Sequence, residues 1–158
     1  MARSVYLETS VISYLVARPN QRDLIVAAHQ QITCDWWATR RHEFTLFASV
    51  VVIEEALRGD PEYAKARMSL IEQLRLADVT RDARALAAQL LLEAALPSKA
   101  NADALHISIA AVNGLDNLLT WNCTHLANAA TLPRVNEICR VAGFEPPYVS
   151  TPEELMVG

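Results

Sequence analysis

Short apolar runs alternate along this chain with segments whose apolar residues recur at the helical period, and no other feature restricts the possible folds as strongly. The apolar runs cover residues 4–7, 44–49, 76–79, 116–121 and 148–149. The segments between them predict helices over residues 9–17, 24–36, 50–58, 61–74, 83–94, 101–113 and 131–142. Buried strands that alternate with amphipathic helices are typical of a parallel sheet covered on both faces. We therefore expect an α/β fold with a mostly parallel sheet.

Glycine and proline residues mark the expected ends of several helices. Gly59 follows the predicted helix over residues 50–58 and suits its C-terminus. Pro61 suits the first turn of the next helix, because the N–H that proline lacks would have no partner there. The helix over residues 83–94 is expected to end before Pro97, which would interrupt its hydrogen bonds.

Length and composition indicate one globular domain that spans residues 1–158. Apolar residues make up 52% of the chain and only four residues are glycine, which excludes a disordered or low-complexity protein. No apolar run approaches the ~18–20 residues that a membrane-spanning helix needs. The first stretch, MARSVYLETS, does not have the pattern of a secretory signal peptide. We therefore expect a cytoplasmic protein without a membrane segment.

Net charge and cysteine content narrow the classes of function. The formal net charge of −4 argues against a broad basic surface for nucleic acid. It does not exclude a nuclease, because carboxylates that hold a metal make the total charge more negative. Cys34, Cys123 and Cys139 are widely spaced, odd in number and form no CxxC pair. This pattern indicates reduced thiols and argues against a disulfide framework or a zinc ribbon.

Four polar residues stand where a predicted strand and helix meet. Glu8 follows the first strand, Glu55 follows the second, Asp103 opens the helix before the fourth, and Asn122 follows the fourth. Parallel strands end at one edge of their sheet, so all four side chains can converge there. Three carboxylates and an amide would repel one another without a cation, and oxygen ligands suit Mg²⁺ or Mn²⁺ better than Zn²⁺. Such a site, with open positions for water and phosphate, is typical of phosphodiester hydrolysis.

Each of the acidic residues also has an ordinary structural interpretation. Thr9 or Ser10 would cap a helix and leave Glu8 solvated just outside it. Glu55 would compensate the dipole in the first turn of its helix, and Asp103 would act as a cap. Their order and placement together favour the site over these separate explanations.

Two histidines lie close in sequence to the candidate site residues. His106 follows Asp103 by three residues, on the same helical face, and His125 follows Asn122 by three. A zinc site that uses both histidines is an alternative, but neither has a paired-ligand spacing such as HxxxH. We expect the two histidines to line the rim of the cleft or to make local hydrogen bonds.

Four stretches in this order, YLETSVIS, VVIEEALRGDP, ADALHISIA and LLTWNCTHL, together resemble the PIN domain, and more narrowly the VapC-like toxins of bacterial type II toxin–antitoxin modules. The resemblance implies a three-layer α/β/α sandwich with a five-stranded parallel sheet. It also implies a Mg²⁺- or Mn²⁺-dependent ribonuclease, which is a hydrolase acting on RNA. The implied protein partners are an antitoxin, which covers the acidic cleft through an arginine or lysine, and a second copy of the chain in a homodimer.

The resemblance assigns the site positions of the family to particular residues of this chain. Its three acidic metal-binding positions fall on Glu8, Glu55 and Asp103, and its polar residue after the last core strand falls on Asn122. These four residues are the implied catalytic set. Ser10 matches the small hydroxyl residue beside the first acidic position, and it or Thr9 would hydrogen-bond a metal ligand or phosphate.

Two of these residues depart from the family pattern. Glu8 stands where the family usually has aspartate, and the extra methylene displaces the carboxylate by about 1.5 Å. Asn122 stands where the family often has aspartate, and it offers an oxygen without a charge. Both changes are expected to weaken metal binding and reduce activity. The Glu8→Asp variant is therefore expected to bind the metal more tightly.

Two other functions therefore stay open at the level of sequence. The first is a catalytically weakened PIN-like module that acts through protein–protein binding. The second is an unrelated α/β binding domain whose acidic residues are helix caps. Metal binding would distinguish the nuclease from both.

Overall fold

The five predicted strands form one sheet in which every neighbouring pair is parallel. A computed structural model describes residues 2–94 and 100–156 of the chain. The strands are β1 (Arg3–Leu7), β2 (Phe44–Ala48), β3 (Arg75–Leu76), β4 (Asn117–Leu119) and β5 (Tyr148–Ser150). Their order in the sheet is β3-β2-β1-β4-β5. The expected five-stranded parallel sheet is confirmed.

Seven α-helices lie between these strands in the described part of the chain. They are α1 (Thr9–Val16), α2 (Leu24–Arg40), α3 (Val50–Ala56), α4 (Pro61–Ile71), α5 (Arg81–Glu93), α6 (Asn101–Val112) and α7 (Leu132–Val141), with a short 3₁₀ turn at Arg41–Glu43. All seven predicted helices are present. Helix α5 ends at Glu93, before Pro97 as expected, and Pro97 itself lies outside the described residues. Helices cover both faces of the sheet, and the α/β/α sandwich with a PIN-like architecture is confirmed.

Helix α2 differs from its predicted amphipathic face. Its first two apolar residues, Leu24 and Ile25, are 87% and 68% exposed, whereas Thr33 and Trp36 farther along are fully buried. A 17-residue helix is ~25 Å long, and a five-residue strand is only ~17 Å long. The first turn of α2 therefore extends beyond the sheet, although its apolar residues follow the helical period.

The edge strand β3 is shorter than its predicted range of 76–79 and begins earlier. It comprises two exposed residues, Arg75 and Leu76, which pair with Phe47 and Ala48 of β2. The adjoining residues 77–80 lead into α5. A short, polar edge strand resists pairing with other chains, which explains why its apolar pattern is weak.

The central strand β1 places the end of the sheet where a site can form. Val5, Tyr6 and Leu7 are fully buried, and Tyr6 is aligned with Phe47 of β2 and Leu118 of β4. The chain continues to β2 and β3 on one side of β1, and later returns to β4 and β5 on the other. Ligands bind at such reversals, in the crevice beyond the strand ends. Throughout residues 2–94 and 100–156, no helix is long and apolar enough to cross a membrane.

Candidate active site

Glu8 lies at the reversal between β1 and β4. It follows β1 directly, and its backbone N–H donates to the Leu119 carbonyl oxygen of β4 at 3.1 Å. The residue is 6% exposed, and its Oε1 atom accepts hydroxyl hydrogen bonds from Ser10 and from Thr120, the latter at 2.7 Å. The interpretation of Glu8 as a solvated residue outside a helix is therefore wrong.

The hydroxyls of Thr9 and Ser10 do not cap helix α1. Glu8 occupies the N-cap position in an extended conformation, without a capping side-chain bond, and both hydroxyl residues lie inside the helix. Ser10 donates to Glu8 and accepts the Trp121 backbone N–H, whereas Thr9 donates to Glu55 at 2.7 Å. Both supporting residues thus orient carboxylates, as a metal site requires of its surroundings.

Glu55 lies in the last turn of α3, so the interpretation as dipole compensation in a first turn is wrong. Its Oε1 atom accepts hydrogen bonds from the Thr9 hydroxyl and from His106 Nε2, each at 2.7 Å. Burial raises the pKa of Glu55, but the hydrogen bonds from His106 and Thr9 and the nearby positive charges outweigh it. The net shift lowers the pKa, which favours the ionised carboxylate.

His106 is a site residue that the sequence did not assign to the catalytic set. It is fully buried on α6, and its Nδ1 atom lies 2.6 Å from the Tyr6 hydroxyl. The expectation of local hydrogen bonds is confirmed for His106, but burial excludes the rim of the cleft. Its spacing of three residues from Asp103 was the available signal, because it places both on one helical face.

Asp103 and Asn122 form a second pair at the same crevice. Asp103 lies in the first turn of α6, and its Oδ1 atom accepts the Asn122 side-chain N–H at 3.2 Å. The N-cap of this helix is Ala100, without a capping side chain, so the interpretation of Asp103 as a cap is wrong. The Asn122 side-chain oxygen, Oδ1, accepts the His125 backbone N–H at 3.1 Å. Asn122 thus links Asp103 to the turn after β4.

The environment of Asp103 is unfavourable to its charge. Burial raises the pKa of Asp103 above its usual range, and the carboxylates of Glu8 and Glu55 raise it further. His106 lowers it by more than Glu8 raises it, and His125 lowers it as well, so the net rise comes from burial. A cation in the crevice would lower the pKa of Asp103, because a nearby opposite charge favours the ionised carboxylate.

The four predicted site residues reach this crevice, but they are not equally close. Glu8, Glu55 and His106 each offer a ligand atom, and these atoms lie within 4.8 Å of one another. Asp103 is not one of these three residues. Its carboxylate interacts electrostatically with all three and accepts a hydrogen bond from Asn122. His125 is also outside the trio, so the zinc site built on both histidines is not formed.

The three carboxylates share one pattern of hydrogen bonding. In Glu8 and Glu55 the Oε1 atom accepts two hydrogen bonds, and in Asp103 the Oδ1 atom accepts one. No hydrogen bond from a described residue reaches the second oxygen of any of the three. Each carboxylate is therefore oriented through one oxygen and keeps the other for a ligand. Such a donor set fits a hard divalent cation such as Mg²⁺ or Mn²⁺.

Comparisons with known proteins connect this fold to a group of solved structures. No family model matches the chain, and no curated protein matches it by sequence. VapC20 of Mycobacterium tuberculosis, described as a sarcin-ricin loop cleaving toxin, superposes with a TM-score of 0.59 at 20% identity, over 91% of this chain and all of that one. VapBC2 of Rickettsia felis, bound to a promoter DNA fragment, superposes with a TM-score of 0.57 at 15% identity, over 93% and 97%. The chain therefore has the PIN-like fold of VapC proteins.

Proposed function

We propose that this protein is a metal-dependent ribonuclease that hydrolyses RNA phosphodiester bonds, and that it acts as the toxin of a toxin–antitoxin pair. The observation that carries the proposal is the convergence of Glu8, Glu55 and Asp103 at one crevice, each with one oxygen engaged and the other not. Structural caps would be exposed and scattered over several helix ends. Glu8 is buried, and burial raises the pKa of Asp103, so a cation at this convergence would favour the ionised carboxylates.

Each residue of the proposed site has a distinct part in the reaction. Glu8, Glu55 and Asp103 would hold Mg²⁺ or Mn²⁺, which lowers the pKa of bound water and neutralises charge on the phosphate oxygens. Asn122 orients Asp103 through its amide N–H. Ser10 and Thr9 hold the carboxylates of Glu8 and Glu55 in place.

RNA as substrate and an antitoxin as partner are supported by the structural neighbours. VapC20 is described as cleaving the sarcin-ricin loop, which is an RNA, and VapBC2 is a complex bound to promoter DNA. An acidic crevice would attract an arginine or lysine of a small protein that blocks it. We also propose a homodimer. Exposed apolar residues on the helices, such as Leu92 and Val141, offer a surface that a second copy of the chain could cover.

Cleavage of RNA by the purified protein in Mn²⁺, with EDTA as a control, tests the proposal. Asp103→Asn keeps the size of the side chain and an oxygen for Asn122, but removes the charge. We expect it to lower activity by more than the ~10–100-fold that loss of an outer hydrogen-bond partner causes. Asp82→Asn is the matched control, because Asp82 is an exposed aspartate in the first turn of α5.

The result that would overturn the proposal is the absence of both RNA cleavage and Mn²⁺ binding in the wild-type protein. Binding of Mn²⁺ that Asp82→Asn abolishes as completely as Asp103→Asn would also contradict it. Calorimetric titration with Mn²⁺ measures the affinity, and gel analysis of labelled RNA measures the cleavage. A protein that binds neither metal nor RNA would be the catalytically weakened module, which acts through protein contacts.

A further inference from the structure

We propose that Tyr6 and His106 are positioning residues that orient Glu55 for metal binding and do not contact the metal themselves. This inference depends on the proposed metal-dependent function, because it assigns Glu55 as a ligand. It is carried by a continuous chain of side-chain hydrogen bonds beneath the crevice, which connects Ser49, Tyr6, His106 and Glu55.

The hydrogen bonds of this chain have a single consistent direction when the His106 ring is neutral. The Glu55 carboxylate only accepts, so the proton of the 2.7 Å bond lies on His106 Nε2. His106 Nδ1 is then an acceptor, and the Tyr6 hydroxyl donates to it at 2.6 Å. Ser49 donates to the Tyr6 oxygen at 2.8 Å.

The chain also holds helix α3 at both ends. Ser49 is the N-cap of α3 and accepts the Val52 backbone N–H through its hydroxyl oxygen. Glu55 lies in the last turn of the same helix. Tyr6 on the central strand therefore connects the beginning of α3 to the carboxylate at its end through His106 on α6. The Glu55 carboxylate is thus oriented by this chain together with the Thr9 hydroxyl of α1.

The burial of the polar groups of Tyr6, Ser49 and His106 indicates a role other than packing. Tyr6, Ser49 and His106 are each fully buried, in a core that is otherwise largely apolar. Phenylalanine and leucine would fill the same volume without the cost of desolvating a phenol and an imidazole. Every polar side-chain atom of Ser49, Tyr6 and His106 has a partner, and a satisfied buried network restricts its members to one arrangement.

His106 has no nitrogen left for a metal. Its Nε2 atom donates to Glu55, and its Nδ1 atom accepts from Tyr6. Coordination through Nε2 would break the bond that orients Glu55 and would displace its proton. Carboxylate ligands in metal sites are commonly hydrogen-bonded by a surrounding residue of this kind. Ligand atoms of His106, Glu8 and Glu55 lie within 4.8 Å of one another. We interpret this short distance as His106 orienting Glu55, without binding the metal itself.

The proposal is tested with three variants of the full chain, assayed for Mn²⁺ affinity and for the Mn²⁺ concentration that gives half-maximal RNA cleavage. His106→Leu removes the donor and is expected to weaken Mn²⁺ affinity by ~10–100-fold. His106→Gln retains an N–H of similar reach and is expected to recover a large part of the loss. Tyr6→Phe keeps the ring but removes the hydroxyl, and should weaken affinity in the same direction by a smaller factor.

Two exposed residues provide matched controls, and spectroscopy separates support from coordination. Tyr148→Phe and His42→Gln make the same changes on the surface and are expected to leave Mn²⁺ affinity unchanged. Electron spin echo spectroscopy of the Mn²⁺ form detects a histidine nitrogen only when the ring is a ligand. We expect no such signal in the wild-type protein.

The outcomes distinguish failure of this inference from failure of the proposed function. If the wild-type protein does not bind Mn²⁺, the proposed function fails and the inference fails with it. If Asp103→Asn abolishes binding but Tyr6→Phe and His106→Leu do not change it, only the inference is overturned. A histidine nitrogen signal that disappears in His106→Gln would overturn it too, because His106 would then be a ligand. Lower melting temperature with unchanged Mn²⁺ affinity would show a structural role alone.

Discussion

The Thr120 hydroxyl donates to Glu8 Oε1 at 2.7 Å, and its oxygen accepts the Asn122 backbone N–H at 2.9 Å. Thr120 is fully buried and follows β4 directly. One hydroxyl therefore fixes both the carboxylate after β1 and the turn that carries Asn122. The two sides of the crevice are held together by this residue, which is neither a ligand nor a catalytic group.

Replacing Thr120 with valine is expected to destabilise the protein. Thr120→Val keeps the shape of the side chain but leaves the Glu8 carboxylate and the Asn122 N–H with one bond fewer each. Loss of a buried hydrogen-bond partner typically lowers the free energy of unfolding by ~1–3 kcal/mol. Urea unfolding monitored by circular dichroism measures this change. Thr120→Ser retains the hydroxyl, so its free energy of unfolding should fall by clearly less. Equal decreases in the two variants would show that the methyl group contributes more to stability than the hydroxyl.

Shortening Glu8 is expected to weaken the site. From the sequence alone, Glu8→Asp is expected to tighten metal binding. The structure favours the opposite expectation, because the hydroxyls of Ser10 and Thr120 contact the carboxylate at the length of glutamate. Glu8→Asp would withdraw the carboxylate by about 1.5 Å, a displacement that active sites tolerate poorly. We expect lower Mn²⁺ affinity and lower RNA cleavage than in the wild type. Tighter Mn²⁺ binding by Glu8→Asp in calorimetry would contradict the hydrogen-bonded geometry.

Removing the charge of Asp103 is expected to stabilise the metal-free protein. The pKa of Asp103 is raised in the folded state, so its ionised form opposes folding at neutral pH. In EDTA at pH 7, Asp103→Asn should therefore unfold at higher urea concentration than the wild type. The difference should shrink as the pH falls through the raised pKa of Asp103 towards its ordinary value of 3.8, because the wild-type carboxyl then becomes protonated.

Addition of Mn²⁺ should reverse this order of stability. Metal that binds the folded protein alone stabilises it by mass action, and the wild type has the ligand that the variant lacks. Thermal unfolding with and without Mn²⁺ provides the measurement, and Asp82→Asn should behave as the wild type does. An Asp103→Asn variant that is less stable than the wild type in EDTA would indicate that the carboxylate serves the helix dipole instead.

The three free cysteines are expected to differ in reactivity. Cys34 and Cys123 are exposed, whereas Cys139 on α7 is buried, and burial raises the pKa of its thiol to about 11. At pH 8, Ellman's reagent should therefore modify two thiols quickly and the third only after unfolding. In the native state of Cys139→Ala, two thiols per chain should again react quickly with the reagent. Three fast equivalents in the native wild type would show that α7 opens readily.

The secondary structure was predictable from sequence because each element depends mainly on its own apolar period and end signals. Helix α3 begins after Ser49 and the chain turns at Gly59, which has a φ of 85°, as a glycine turn signal predicts. The exposed first turn of α2 was not predictable, since the length of a helix relative to the sheet depends on the assembled fold. The two-residue β3 was placed inexactly for the same reason.

The candidate site was predictable only in part. Glu8, Glu55, Asp103 and Asn122 follow from the rule that parallel strands end at one edge, and all four reach the crevice. Their structural alternatives as caps could be excluded only once the hydrogen bonds were seen. The parts of Tyr6 and Thr120 were not predictable, because neither spacing nor residue type shows that the buried hydroxyl of Tyr6 contacts His106 or that the hydroxyl of Thr120 contacts Glu8.

The bond between Glu8 and Thr120 spans 112 positions of the chain. Contacts between such distant segments form late, because a long loop must close before they can be made. During translation the ribosome releases Glu8 and Glu55 long before Thr120 and Asn122. A nascent chain that ends before β4 thus carries carboxylates that no hydroxyl or amide of that strand orients. The order of synthesis therefore delays completion of the proposed site until β4 and the residues after it have been made.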